Sequence, residues 1–302
     1  MAEHKDLGAI LILDHARRRW RFIALVLAVV LIVWAWATNS AKGVVSGPHV
    51  AQIEISGLIM DNAHQQQQIE QLGVRDDVKA VIAYVDSPGG TMVGALMLHD
   101  ALERVAKKKP VVVVMGTVAA SAGYLVSLAG EHVLANEATL TGSVGVYMPL
   151  VDATGLADKI GIKDAGVVSG SLKDVTSPLN TRNEREDAYL VNMVERLEDI
   201  FIRYVTGRFD LSDDVIKTIS DGRAVIGVEA YEMGMVDGLG GIYQAREWLN
   251  TTHSIPKDMP MRYVEIEEEG SWFGQMAQKA GLDLPVRLGL GTNGGAVALY
   301  NY

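Results

Sequence analysis

The chain sorts into one long apolar run and many short ones. Residues 22–37, FIALVLAVVLIVWAWA, carry no charge. From residue 49 onward the apolar residues fall into brief blocks with two different periods. Residues 78–85 (VKAVIAYV) and 111–114 (VVVV) are short, apolar and rich in β-branched side chains, the pattern of strands buried on both faces. Residues 49–59 read as a strand interrupted at Gly57, and 132–135, 165–169 and 262–266 as further strands. Elsewhere apolar residues recur every three or four positions. That period predicts a helix over 92–107, with Val93, Leu96, Met97, Ala101, Leu102 and Val105 on its apolar face. It predicts a longer one over 182–208, with Leu190, Met193, Val194, Leu197, Phe201 and Val205 on one stripe. Shorter helices are expected around the glutamine run 65–68, closing at Gly73, and over 156–160. Strand, helix and strand alternate across most of 49–240, which indicates one α/β domain.

The joints between these blocks carry the chemistry. Asp86-Ser87-Pro88-Gly89-Gly90 follows the second strand, and its proline and two glycines predict a sharp turn with exposed backbone N–H groups. The valine strand is expected to break at Gly116. Ala119-Ala120-Ser121-Ala122-Gly123 then leads into a segment of helical character. A serine among residues with almost no side chain, at a strand-to-helix turn, reads in two ways. It is a helix N-cap, or it is a nucleophile whose hydroxyl has room and whose oxyanion the helix amides would favour. Residues 141–146, TGSVGV, form a glycine-spaced extended segment where backbones approach closely. Beyond 262 the pattern changes: a charge run at 267–269, a possible helix over 271–280, and an apolar, glycine-rich end, LGLGTNGGAVALYNY. Its glycines open no clear helix, so a docked or flexible tail is expected there rather than a nucleotide loop.

Charge changes the reading of the long apolar run. Arg17, Arg18, Arg19 and Arg21 stand directly before it, and Trp20, Trp34 and Trp36 mark its ends. Counting Thr38 it has 17 residues, about 25 Å as a helix and at the short end for a bilayer. The basic side is expected to stay cytoplasmic, with the body translocated. A cleaved signal peptide ending at Ala35-Trp36-Ala37 and a buried core helix are the alternatives; the lack of any polar face argues against the second. The expected organisation is a cytoplasmic segment 1–21, an anchor 22–38, a linker 39–48, a catalytic body 49–250 and a C-terminal extension 251–302. The chain has 302 residues, 49% of them hydrophobic, and a formal net charge of −10. After residue 21 it carries 22 Lys/Arg against 34 Asp/Glu, which leaves no basic excess for nucleic acid. It has no cysteine, which excludes disulfides, zinc-thiolate sites and a cysteine nucleophile.

A serine nucleophile needs a base. None of the seven histidines has a convincing carboxylate partner, and only His132 stands near a strand end. A Ser-His-Asp triad is therefore poorly supported. Lys173, in a Ser-Gly-x-x-Lys-Asp segment, is the remaining candidate: a base if burial brings its amine toward neutrality, otherwise a surface lysine.

Four motifs in order resemble the signal peptide peptidase A group of serine proteases, in the wider class with the ClpP/crotonase fold. They are DSPGG at 86–90, AASAGY at 119–124, TGSVGV at 141–146 and SGSLKDVTSP at 169–178, and the later DGRAVIGVEAYEMGMVDGLG at 221–240 matches as well. The likeness covers about 50–239 and is to the short, single-unit form with one N-terminal transmembrane helix. It implies an α/β domain of repeated β-β-α units. It implies a Ser-Lys dyad, with Ser121 as nucleophile and Lys173 as general base. The amides of Gly90 and Ala122 would form the oxyanion hole, and Ser143 would orient the lysine. No cofactor or metal is implied. The usual Ser-Gly-Gly is Ser121-Ala122-Gly123 here, which keeps the amide but puts the tightness of the turn in question.

The resemblance leads to a membrane-anchored serine endopeptidase on the outer side of the cytoplasmic membrane. It would degrade signal-peptide remnants and other short apolar peptides, as a homo-oligomeric ring or dome. Two rivals are a stomatin-linked Ser-Lys protease that cleaves intact membrane proteins and an inactive scaffold of the same fold. A crotonase-type acyl-CoA enzyme is more distant, since it has no reason to be anchored and exported. The apolar end, 296–302, is expected to enter a peptide groove of its own or a neighbouring subunit.

Overall fold

The computed structural model describes residues 26–29, 47–266 and the backbone of 297–299. The expected anchor therefore falls outside the described residues, apart from a helical stretch at 26–29. Among the described residues no helix is long and apolar enough to cross a membrane. The expected helix over 271–280 also lies outside them.

The described residues from 48 to 266 form one compact unit. Its centre is three parallel strands, β1 (His49–Ile59), β2 (Val78–Thr91) and β3 (Val111–Ala120). Six others complete the sheet: β4 (His132–Ala135), β5 (Leu140–Gly142), β6 (Ala224–Ile226), β7 (Gly238–Leu239), β8 (Met261–Tyr263) and β9 (Val297–Leu299). The main order is β6-β5-β3-β2-β1-β8, with β4 on β3, β7 on β4 and β9 on β2. All pairs are parallel except β5 with β6 and β2 with β9.

The valine run explains the layering. Val111 and Val113 point into one core with α1 (Ala63–Leu72), α2 (Met92–Ala106) and the short α3 (Ala122–Ser127). Val112 and Val114 point into a second core on the other face, against Ala245 and Leu249. Both belong to α8 (Ile242–His253), which runs through position 250. Strand β8, farther on, adds to β1. A parallel strand covered on both faces needs apolar residues at every position, and this one has them. The remaining helices are α4 (Thr154–Ile160), α5 (Glu184–Arg208), α6 (Asp213–Ile219) and α7 (Gly227–Glu232).

Three local expectations are corrected. The DSPGG segment is not a turn: β2 runs through it to Thr91, pairing Gly89 with Leu58 and Gly90 with Ile59. Irregularities at Gly57 (φ +70°) and after Val85 absorb the mismatch, and Pro88, which has no N–H, falls in a gap of the ladder. Nor does β3 break at Gly116; it changes neighbour instead, from β4 at Val112–Val114 to β5 at Val118–Ala120. Asp86 holds the change in place by accepting the Val118 N–H at 2.9 Å. A Cβ at Gly116 would meet the Tyr84 hydroxyl at 2.8 Å and the Asp86 Cβ at 2.9 Å, so a larger residue there would force both side chains to shift. Finally, 165–169 is no strand. Residues 161–170 are exposed, Val167 fully, and the Asp164 side chain takes the Gly166 N–H at 2.7 Å, a local turn that competes with any ladder.

Candidate active site

Strand β3 delivers Ser121 to the start of α3. The strand's last three residues pair with β5, and the Ser121 N–H continues the ladder by donating to the Gly142 carbonyl at 2.8 Å. The helix beyond is held from two sides. The Tyr124 hydroxyl, wholly buried, donates to the Met235 carbonyl at 2.9 Å, and burial pushes its pKa up. Gly123 lies so close to β2 that an added Cβ would stand 2.7 Å from the Ser87 carbonyl oxygen. Ala122 is buried without difficulty, so the tight position of this turn is Gly123.

Held at both ends, Ser121 adopts φ 52°, ψ −117°. A non-glycine residue at positive φ is strained by about 1–3 kcal/mol and persists only where its surroundings over-determine it. The conformation also separates the two readings of this serine. It occupies the N-cap position of α3 but its side chain makes no capping hydrogen bond. Thr91 and Ser212, by contrast, cap α2 and α6 through their side-chain oxygens. The Ser121 hydroxyl, in a residue only 1% exposed, is left for something else.

It opens on a cavity of about 220 Å³. Ser143, also at positive φ (50°) and with its N–H on the Arg223 carbonyl at 2.8 Å, stands beside it. Gly145, Val146 and Tyr147 continue the wall; Glu198 of α5 and the turn Ser220-Asp221-Gly222 close it. The Asp221 carboxylate is engaged by the Arg223 guanidinium at 2.9 Å, which holds its pKa below the usual range. The Glu198 carboxyl is pushed up, first by burial, then by Asp199 and Glu195. Among the described residues no histidine lines this cavity. His132 instead stacks on Trp248, with ring centroids 4.8 Å apart.

Of the residues singled out in the sequence, Ser121 and Ser143 meet in the cavity, and Ala122 follows directly on Ser121. Gly90 lies in β2 three residues past Ser87, with backbone so near β1 that a Cβ would fall 1.9 Å from the Ile59 carbonyl oxygen. Lys173 is not brought to Ser121. It is exposed, in a turn closed by its N–H on the Gly170 carbonyl at 3.0 Å, and is not among the cavity-lining residues. Sequence reasoning missed Glu198. Its signal was its place one turn from Val194 and Phe201, at the edge of the buried stripe of α5.

A parallel sheet that carries an uncapped, strained serine into a polar cavity is the frame of a serine hydrolase. The family model described as peptidase family S49 matches residues 103–255, and the chain belongs to that family; it is a serine protease. The putative protease MJ0651 of Methanocaldococcus jannaschii is 32% identical over 206 residues, which is 68% of this chain and 66% of that protein. A putative signal peptide peptidase SppA of Enterococcus faecium is 29% identical over 254 residues, covering 78% of this chain and 74% of that one. Among solved structures, a mutant of the 1510-N membrane-bound stomatin-specific protease has a TM-score of 0.45 at 15% identity, over 73% of this chain and 99% of that one. That likeness is too loose to carry residues across.

Proposed function

We propose that the protein is a membrane-anchored endopeptidase of the Ser-Lys type that degrades cleaved signal peptides and other short apolar peptides. The observation that carries this reading is Ser121, strained, uncapped and open to a cavity it shares with Ser143. In the reaction the Ser121 hydroxyl attacks the scissile carbonyl. Lys173 takes its proton and returns it to the leaving amine, while the amides of Ala122 and Gly90 receive the oxyanion. Ser143 orients the amine. The peptide lies along β2 as an added strand, the way β9 pairs antiparallel with Gly89–Thr91.

The exposed position of Lys173 bears on how the dyad forms. Its own segment displays Tyr147, Val151, Leu156, Ile160, Ile162 and Val167 to solvent, an apolar surface suited to another copy of the chain. The reading is therefore an oligomer in which one copy brings Lys173 to the next copy's Ser121. Catalysis at the outer face of the cytoplasmic membrane, with the N-terminus inside, completes it.

The test is a pair of variants and their mixture. Ser121→Ala and Lys173→Ala should each lower peptidase turnover by about 10³-fold or more without changing thermal unfolding. Dissociated and reassembled together, they should recover activity, because a Ser121 from one variant meets a Lys173 from the other. Full turnover in either single variant disproves the dyad. A mixture that stays inactive places both residues in one chain.

A further inference from the structure

The cavity at Ser121 holds a charge that the dyad does not use. Two carboxylates line it, Asp221 and Glu198. Asp221 is neutralised by the Arg223 guanidinium at 2.9 Å. Glu198 is half-buried on α5, and its carboxylate makes no hydrogen bond or ion pair with the side chain of any described residue. Its surroundings are acidic, with Asp199 and Glu195 both adding to the effect of burial on its carboxyl. No cation lines the cavity among the described residues. A part-shielded carboxylate without a partner is unfavourable unless something brings a positive charge or a donor to it.

Two groups are able to enter. One is the amine of Lys173. That amine must be neutral to accept the serine proton, and direct contact with a carboxylate would hold it protonated. Glu198 as its ion-pair partner would thus oppose the chemistry next to it. The other group is a side chain of the peptide. At about 220 Å³ the cavity falls below the ~300–1,000 Å³ typical of small-molecule sites; with the Lys173 amine at Ser121 and Ser143, the part facing Glu198 is left for the end of one peptide side chain. Its walls supply Tyr147 and Val146 for an aliphatic stem, and Glu198 for a charged end.

We propose that Glu198 is a specificity-determining residue: it favours peptides that place a lysine or arginine side chain in the cavity at Ser121, and it rejects an acidic one there. The proposal rests on the peptidase reading of this site. It adds one basic position to a substrate that is otherwise apolar.

Fluorogenic apolar peptides identical except for Lys, Leu or Glu, scanned through each position flanking the scissile bond, test it in the full-length protein. At one position the Lys peptide should exceed the Glu peptide in kcat/KM by about tenfold, the scale of one part-shielded ion pair. Glu198→Gln should remove most of that ratio and Glu198→Lys should invert it. Because the ratio is taken within each variant, a general loss of folding or turnover does not move it. An equal ratio in wild type and Glu198→Gln overturns the proposal. Binding of the same peptides to Ser121→Ala, and to Ser121→Ala combined with Glu198→Gln, gives the preference without hydrolysis. Labelling of the wild-type serine by a peptidyl phosphonate tests the peptidase reading separately. Labelling without any Lys/Glu preference sinks only the role of Glu198. A Glu198-dependent binding preference without labelling or hydrolysis sinks the peptidase reading and leaves the cavity's charge preference standing.

Discussion

At the scale of single residues, the turn around Ser121 is set by atoms that leave no room. A Cβ on Gly123 would run into the Ser87 carbonyl and one on Gly90 into the Ile59 carbonyl, whereas Ala122 accommodates its methyl in the buried turn. The departure from Ser-Gly-Gly therefore falls at the position that tolerates it. Ala122→Gly should cost roughly 1 kcal/mol, the ordinary penalty of glycine in a helix. Gly123→Ala forces a Cβ to 2.7 Å from a backbone oxygen and should cost about 1–3 kcal/mol or more, with a larger loss of peptidase activity than Ala122→Gly. Urea unfolding of the two variants checks the order. Equal destabilisation would show that the turn adjusts freely. The serine itself was visible in the sequence as a small-residue turn. Its missing cap was not, because an N-cap is recognised by residue type while the hydrogen bond depends on φ and ψ, which α3 and β5 impose.

At the scale of elements, α2 and α5 meet through a histidine. His99 of α2 is buried and packs edge-on against Tyr204 of α5, ring centroids 4.6 Å apart. Burial lowers its pKa from the ordinary 6.5, partly opposed by Asp100 and Glu103 and aided by Lys107. The unfolded chain thus binds a proton that the folded chain refuses. His99 contributes full stability above about pH 6.5, and that contribution is lost as pH falls toward its folded pKa. His99→Leu keeps the packing and removes the titration, so unfolding free energy should fall less between about pH 7.5 and 5 than in wild type. Parallel pH profiles for the two proteins would refute it. The elements themselves were largely legible. The valine run, the strand 49–59 interrupted at Gly57 and both amphipathic helices follow from their periods. The segment 165–169 misled because its β-branched residues match a strand pattern, but among the described residues no strand pairs with it. DSPGG misled in the opposite direction: turn residues were drawn into a bulged strand because β1 lies alongside.

At the scale of the whole molecule, the proposed dyad requires Lys173 to reach the Ser121 cavity from another copy of the chain. Lys173 lies on an exposed segment away from the Ser121 cavity. The backbone of β9, near the end of the chain, is paired along Gly89–Thr91, the edge on which a peptide substrate would add as a strand. On the proposed reading the tail would compete with substrate for these main-chain hydrogen bonds. Truncation after Asp283 should lower KM for short apolar peptides several-fold with a smaller change in kcat. Unchanged kinetics would remove the tail from the groove. Membership of peptidase family S49 sets the chemistry in which these contacts act.

The sequence by itself determined the strand blocks, the helical stripes, the acidic body and the serine at a strand-to-helix turn. These are local: each depends on residue type and on a period of two or 3.6 along the chain. The tertiary structure decided which strands pair and how far they run. It held Ser121 in a strained, uncapped conformation, and it placed Glu198 in the serine's cavity while leaving Lys173 outside it. Those outcomes depend on contacts between residues far apart in the chain. A carboxylate at the edge of a helix stripe reads as solvated until the wall facing it is known. A lysine in a glycine-serine segment reads either as a base or as a surface residue, and only the fold shows that within one chain it stands in an exposed turn outside the Ser121 cavity.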